Sequence, residues 1–541
     1  MSLSKSAKLT PMGNKFTTHS KEVVNDFIQN IVFVDDRAYS TEKVALDFDA
    51  PKVLSIFANE GKLCAIYTPN IISDKETFTT VLNKADAVVI DWDMRNPPAK
   101  TISLDQNADV GESEDDEEDA PEEDPRGEFA CGLIRSIAND TDGIKVILIY
   151  TGDTKLRDIC ESVKSCMPNA KYDVESLSIL NERIIVAVRA KYNDSEEQFS
   201  HDTPLKQFIV RYEELPQCIV EQYIRFTDGL IPNFALKALS TIRHHTPKIL
   251  SVFSRDLDMG YLVHKASMEF PEEGKNMLVH IFGEAISDLL NVISFDTNNW
   301  SDAWIESFLS ETTKEIGGVS IIRSHRLVKQ LLESNSDSLD LNMSRLMWKL
   351  ISADSNLTEK DKKKLKNSRS DLSSLFEKDG EDVSNSNRSF AILTHHKNIF
   401  QPLSLPPTLS LGTIVKDKDD KYFVCIQQRC DSVRLKGVRR FLFLPLEEKG
   451  KNAVLVSSDL RLGPAKASYA IKTIKFAPQE GQTTIIATKD NERFIFTSIY
   501  SEIFEWITDL KDLHAQRIAN TYTSELSRVG LDESEWLRIG K

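Results

Sequence analysis

The sequence predicts a multidomain chain: a doubly wound α/β domain first, then a central all-α region, then a small β barrel or sandwich with a terminal helix. Three observations carry this. Over residues 21–226, short unbroken apolar runs alternate with helical patterns, as in a parallel sheet covered on both faces. Over 227–351, apolar residues recur at i, i+3, i+4 spacing and strand patterns are hard to find. Over 391–500, the runs are short, strand-like and joined by polar connections.

Bulk properties set the outer limits. At 541 residues the chain exceeds what one hydrophobic core organises. With 40% hydrophobic and 28% charged residues it is an ordinary globular composition rather than a disordered one. No apolar run reaches the roughly 20 residues that span a bilayer. The start, MSLSKSAKLTPMGNKF, lacks the apolar core of a signal peptide, so a cytoplasmic location is expected. The seven cysteines are scattered without a CxxC pair or a neighbouring histidine cluster, which favours reduced thiols over a zinc site. Of the net charge of −16, twelve negative charges lie within residues 105–124 with no basic residue among them. That stretch reads as a solvated, disordered insertion over 103–126, and leaves the rest of the chain near neutral. No basic stripe with interleaved aromatics is present, which argues against a nucleic-acid partner.

The elements follow in order. Residues 1–20 read as a disordered start and Lys21–Asn30 as a helix. Ile31–Val34 is an apolar strand closed by Asp35 and Asp36. A helix at Ala50–Glu60, a strand at Leu63–Tyr67 and a helix at Lys75–Asn83 lead to the strand Ala87–Ile90, which ends in Asp91. After the acidic insertion come a helix at Glu128–Ala138, a strand at Val146–Tyr150 closed by Thr151, a helix at Lys155–Ser165 and a fifth strand at Ile184–Val188. A helical stretch over Thr203–Phe226 completes the domain. Five such units are too few for an eight-stranded barrel, so the open sheet is favoured. The central helices are predicted at Ala235–Ile242, Tyr261–Met268, Met277–Ile293, Trp304–Ile316 and Ser324–Leu332. Residues 352–390, rich in Ser, Asn, Asp and Lys, read as a linker with one short helix around Leu372–Phe376. Seven short strands are predicted between Thr413 and Phe496, followed by a helix over Ser501–Asn520 within a C-terminal helix and tail, 501–541.

The residues that carry chemistry stand at strand ends, where open α/β sheets bind ligands. Asp35 and Asp36 follow the first strand, Asp91 the third, Thr151 the fourth, and Lys191 lies just past the fifth. Three carboxylates in one crevice repel and raise one another's pKa, and a hard divalent cation relieves this, Mg²⁺ fitting best. Such an ion, with Lys191 and the Thr151 hydroxyl, suits phosphoryl transfer to a carboxylate nucleophile.

Asp35-Asp36 after IVFV, Asp91 in AVVIDWDMRNP and Tyr150-Thr151-Gly152 after KVILI resemble the receiver domain of two-component response regulators, a flavodoxin-like fold. The resemblance covers about 28–226 and implies a set of roles. Asp91 is the phosphoacceptor and a metal ligand. Asp36 binds Mg²⁺ directly, Asp35 acts through water, and the backbone carbonyl of Asp93 completes the protein's share. Thr151 and Lys191 contact the phosphoryl group. Met94 and Pro97 echo the family's turn, with two residues inserted before the proline. There are departures: Tyr192 stands where the family has proline after the lysine, and Val188 and Arg189 occupy the region of its switch aromatic.

The function this implies is a regulator rather than a metabolic enzyme. A separately encoded histidine kinase would phosphorylate Asp91, and the change would pass to the helical and β domains, in the manner of receiver-led bacterial chains of stress or phage-defence settings. The β domain or the tail would be the place for a protein partner. Two alternatives stay open: a pseudo-receiver scaffold for protein assembly without phosphorylation, and a DNA-binding regulator. The lack of a helix-turn-helix with a basic recognition helix weighs against the latter.

Overall fold

The computed structural model describes residues 15–39, 48–69, 75–94, 127–141, 143–192, 203–268, 274–292, 297–334, 345–367, 372–378, 383–397, 405–448, 454–457, 459–465, 471–491 and 493–526. The acidic insertion, Pro97 and the C-terminal tail lie outside these residues. The chain divides into two compact units, Met1–Ala266 with Gly274–Leu309, and Ser267–Glu273 with Ser310–Lys541. No helix among the described residues is long and apolar enough to cross a membrane.

The first unit runs α1 (Lys15–Phe27), β1 (Asn30–Val34), α2 (Ala50–Asn59), β2 (Leu63–Tyr67), α3 (Lys75–Lys84), β3 (Ala87–Ile90), α4 (Glu128–Asp140), β4 (Lys145–Thr151) and α5 (Leu156–Cys166). It continues with β5 (Lys171–Asp173), β6 (Ser178–Leu180), β7 (Ile184–Lys191), β8 (Ile209–Val210), α6 (Leu215–Thr227), α7 (Leu230–Val252), α8 (Asp258–Ser267), α9 (Gly274–Val292) and α10 (Thr297–Phe308). The sheet order is β2-β1-β3-β4-β7-β6-β5. The first five strands are parallel, with Val34 opposite Ile90, Ile90 opposite Ile149 and Thr151 opposite Ala190. This is the doubly wound sheet the sequence predicts.

The apolar strands β1, β3, β4 and β7 are buried on both faces because alternate residues enter different cores, while the edge strand β2 is partly exposed. Val34, Ile90, Ile149 and Val188 pack under α3, α4 and α5. Phe33, Val89, Leu148 and Ala187 pack under α1, α2, α6 and α7. Asp49 caps α2, its carboxylate accepting from Lys52 N at 3.0 Å, and Pro51 sits in the first turn.

Three features of this unit depart from the sequence reading. α1 starts at Lys15, inside the stretch read as disordered, because Phe16 is buried edge-on against Phe308 and Ser20 accepts from Asn233 Nδ2 at 3.0 Å. The stretch between Thr151 and β7 holds, besides α5, the β5–β6 hairpin, antiparallel to β7. Together with β8, which pairs parallel to Ala190 and Lys191, the hairpin covers the outer edge of β7.

The second unit opens with β9 (Thr312–Ile316) and β10 (Val319–Arg323), then α11 (His325–Glu333), α12 (Arg345–Ala353), α13 (Glu359–Asn367) and α14 (Val383–His395). The antiparallel β9–β10 pair corrects the all-α reading of the central region, since the helix predicted to reach Ile316 ends at Phe308. Gly317 and Gly318 both have positive φ and make the tight turn. The stretch read as a linker holds more structure than the short helix expected at Leu372–Phe376, which is a 3-10 helix there. Leu357, Leu365, Leu372 and Leu375 are buried with Ile321, Leu327 and Leu331, so a few well-placed leucines fold an otherwise polar segment.

A nine-stranded antiparallel sheet follows, built from β11 (Thr413–Lys416), β12 (Tyr422–Cys425), a short α15 (Arg429–Ser432), β13 (Arg439–Glu447), β14 (Val454–Leu455), β15 (Arg461–Pro464), β16 (Lys472–Phe476), β17 (Thr488–Asp490), β18 (Arg493–Thr497) and β19 (Ile503–Asp509). Its order is β14-β15-β13-β12-β11-β19-β18-β17, with β16 on β13. No pair closes β17 onto β14 among the described residues, so the sheet is not seen as a barrel. Aromatic residues, Phe441, Phe443, Phe476 and Phe504, fill one of its two cores. The helix read from Ser501 is corrected: Ile503–Asp509 is a strand paired with β11, and the helix is α16 (Asp512–Leu526).

Candidate phosphoacceptor site

Asp35, Asp91 and Lys191 converge because of strand ends and period two. Asp35 follows Val34 and Asp91 follows Ile90, adjacent strands in register, while Lys191 is the last residue of β7. Counting by twos along each strand places Asp35 with Phe33, Asp91 with Val89 and Lys191 with Ala187, the three apolar residues sharing one core. The Lys191 ammonium lies 3.1 Å from Asp35 Oδ2 and 3.2 Å from Asp91 Oδ1, with its side chain only 11% exposed. Carboxylate oxygens of Asp35, Asp36 and Asp91 all lie within 4.8 Å of one another.

The electrostatics follow from that crowding. Burial, with the Asp35 and Asp36 charges, outweighs Lys191 and pushes the Asp91 carboxyl up to about 6. Burial also opposes the Lys191 charge, but the Asp91 and Asp35 carboxylates more than offset it and hold its pKa above the ordinary lysine value. The donor set fits a hard divalent cation: three carboxylates on one crevice, and Asp91 Oδ1 buried in an ion pair without a directed hydrogen bond.

The remaining predicted residues are placed as follows. Thr151 ends β4 fully buried, and its hydroxyl accepts from Asp153 N at 3.1 Å. By strand alternation it falls with Ile149, on the other side of the sheet from Lys191. Asp93 is half-buried, two residues beyond Asp91, and Met94 is buried. Val188 and Arg189 are buried in β7, Arg189 donating to the carbonyls of Ser176 and Val188.

The aromatics at the site come from elsewhere. The Lys191 ammonium stands 5.8 Å from the Phe48 ring and 5.9 Å from the Tyr150 ring. Tyr212 packs edge-on against both, at 6.0 and 5.8 Å. Tyr150 donates to Val210 O at 2.8 Å, and Tyr212 Oη accepts from Asp49 N at 3.3 Å. Sequence reasoning missed Phe48 and Tyr212, which sit outside the strand ends; the one available signal was an aromatic beside a helix cap. Next to Asp91, the Trp92 ring lies against Gly127, the left-handed cap of α4 at φ +87°. A Cβ there would fall 2.0 Å from the indole, so only glycine fits.

A five-stranded parallel sheet whose β1, β3 and β7 ends join three acids to a lysine is the arrangement of a receiver-type domain. The family comparison agrees: residues 27–196 match the response receiver domain family, so the N-terminal part of the chain is a response receiver domain. No curated protein and no solved structure matches the chain. A receiver domain implies a response-regulator-like phosphoacceptor role within two-component signalling.

Proposed function

We propose that the chain is a Mg²⁺-dependent response regulator that accepts a phosphoryl group on Asp91 from a separately encoded histidine kinase. The observation that carries this is the placement of Lys191 between Asp35 and Asp91, beside a third carboxylate, Asp36. Asp35, Asp36 and Asp91, with the Asp93 carbonyl, would hold the metal, which supplies positive charge for the phosphoryl oxygens. An Asp91 carboxylate oxygen attacks phosphorus, the P–N bond of a phosphohistidine breaks, and an acyl phosphate forms while the imidazole takes up a proton. Phosphorylation replaces the carboxylate charge that Lys191 neutralises at Asp91 with a phosphoryl group whose oxygens lie within reach of its ammonium. Movement of Lys191 is felt first by Phe48, Tyr150 and Tyr212, and these contact the helices that follow the sheet; this route stands in for the missing switch aromatic before Lys191.

The test is incubation with acetyl phosphate and Mg²⁺, followed by intact mass. One added phosphoryl group on the wild type, absent from Asp91→Ala, is expected. No incorporation with either acetyl phosphate or a phosphohistidine donor would leave a scaffold with a vestigial crevice.

A further inference from the structure

The packing of α4 on α5 brings two thiols together outside the phosphoacceptor site. In α4, Ala130, Cys131, Leu133, Ile134 and Ile137 form the buried face. In α5, Leu156, Ile159, Cys160 and Val163 do the same, and Cys166 closes the helix three residues beyond Val163, half-buried at the edge of that face. The Cys131 Sγ donates to the Ser162 carbonyl oxygen at 3.9 Å. Cys166 stands about one turn beyond Ser162, and helical side chains lean back over the preceding turn. The two thiols accordingly meet, hydrogen-bonded to each other, and Cys166 packs on the core that Cys131 enters. Cys160, nearby in α5, is hydrogen-bonded to Tyr172 instead.

Two thiols in contact have a chemistry that neither has alone. A single thiol oxidised by peroxide stops at the sulfenic acid or goes on to the irreversible acids, whereas a neighbouring thiol captures the sulfenic acid as a disulfide. Exposure divides the roles. Cys166 is the sulfur that an oxidant reaches. Cys131 is buried, and burial with the Cys166 thiol beside it pushes its pKa up to about 12. A thiol so protonated is a poor first nucleophile and suits the resolving step. The position of Cys131 also matters. Its amide donates to Gly127 O at 2.9 Å, and Gly127 carries the Trp92 ring beside Asp91.

We infer that Cys131 and Cys166 form a peroxide-sensitive dithiol, a modification site that ties α4 to α5 through a reversible disulfide. The Cys166 sulfur attacks a peroxide oxygen, the O–O bond breaks, and the departing oxygen leaves as water with the Cys166 proton. The Cys131 sulfur then attacks the sulfenic sulfur, the S–O bond breaks, and the hydroxyl leaves as a second water with the Cys131 proton. Two electrons pass from the thiol pair to the peroxide. Nothing in this depends on phosphorylation. The test treats the full chain with hydrogen peroxide, blocks the remaining thiols with maleimide in denaturant, and maps unreduced tryptic peptides. Trypsin places the two cysteines in separate peptides, Gly127–Arg135 and Ser165–Lys171, with Cys160 in a third. The first two are expected joined as the major product, lighter than their sum by two hydrogens, once the exposed Cys430 is consumed. Dithiothreitol should release them. In Cys131→Ser, Cys166 is expected to go on to the sulfinic acid, which dithiothreitol does not reverse. Recovery of Cys131 as a free thiol in the wild type after Cys430 is consumed overturns the inference, and so does a disulfide from Cys166 to Cys160 or Cys430. These readings come from the wild type, so they stand even where the variant fails to fold. A Cys131→Ser product that dithiothreitol reverses also overturns it.

Discussion

In magnesium-free buffer, Asp91→Asn should stabilise the first unit at alkaline pH and do little in acid. Asparagine keeps the shape of Asp91 but, like the protonated acid, carries no charge. The folded carboxyl titrates at about 6, against about 3.9 when unfolded. The folded chain therefore holds its proton more tightly than the unfolded chain does. Stability is highest below about pH 4 and falls as pH rises toward and through 6. The gap between the folded and unfolded carboxyl corresponds to about 3 kcal/mol fully expressed at pH 8, and about 1 kcal/mol at pH 4.5. Hydrogen exchange on the amides of β3, corrected for intrinsic rates, reads this locally in the full chain. About 100-fold greater protection in Asp91→Asn at pH 8, shrinking to several-fold at pH 4.5, is expected. An equal gain at both pH values, or none, would show that the crowding of Asp35, Asp36 and Asp91 does not govern the charge state. Added Mg²⁺ should narrow the gap at pH 8 by stabilising the wild type alone.

Two other substitutions test the neighbourhood. Lys191→Met leaves Asp35 and Asp91 facing each other without their shared cation; a loss of about 3–5 kcal/mol at pH 8 is expected by urea denaturation, together with loss of phosphoryl incorporation. A stability equal to wild type would mean the pairs are too solvated to matter. Gly127→Ala drives a methyl group into the Trp92 ring from a left-handed backbone and should cost about 3 kcal/mol, with a shift in tryptophan emission. An unchanged melting temperature and spectrum would contradict that contact.

The receiver sheet was legible because four of its five parallel strands, β1, β3, β4 and β7, are apolar runs buried on both faces, and because its chemistry follows directly at the strand ends. Asp35, Asp91 and Lys191 could be assembled from the sequence, since in-register parallel strands bring their ends together. The pieces that were not legible share a physical cause. Ile503–Asp509 (IFEWITD) carries large side chains whose spacing satisfies both a helix and a strand, and only its pairing with β11 decides between them. In 352–390 Leu357 and Leu365 are isolated in sequence, and the core that gathers them with Leu372 and Leu375 is a tertiary fact. Phe48 and Tyr212 belong to the site through the packing of Tyr212 on both Phe48 and Tyr150, and the Phe48–Tyr212 contact spans more than one hundred residues, so no local pattern announces it.

The packing of Trp92 on Gly127 has a consequence for how this domain can vary. It brings the two ends of the 95–126 segment to a single anchored point beside Asp91. The strand end that carries Asp91 and the first turn of α4 are thereby pinned to each other by a contact of their own, so a substitution at Trp92 reaches the start of α4 as directly as one at Gly127 reaches the phosphoacceptor strand.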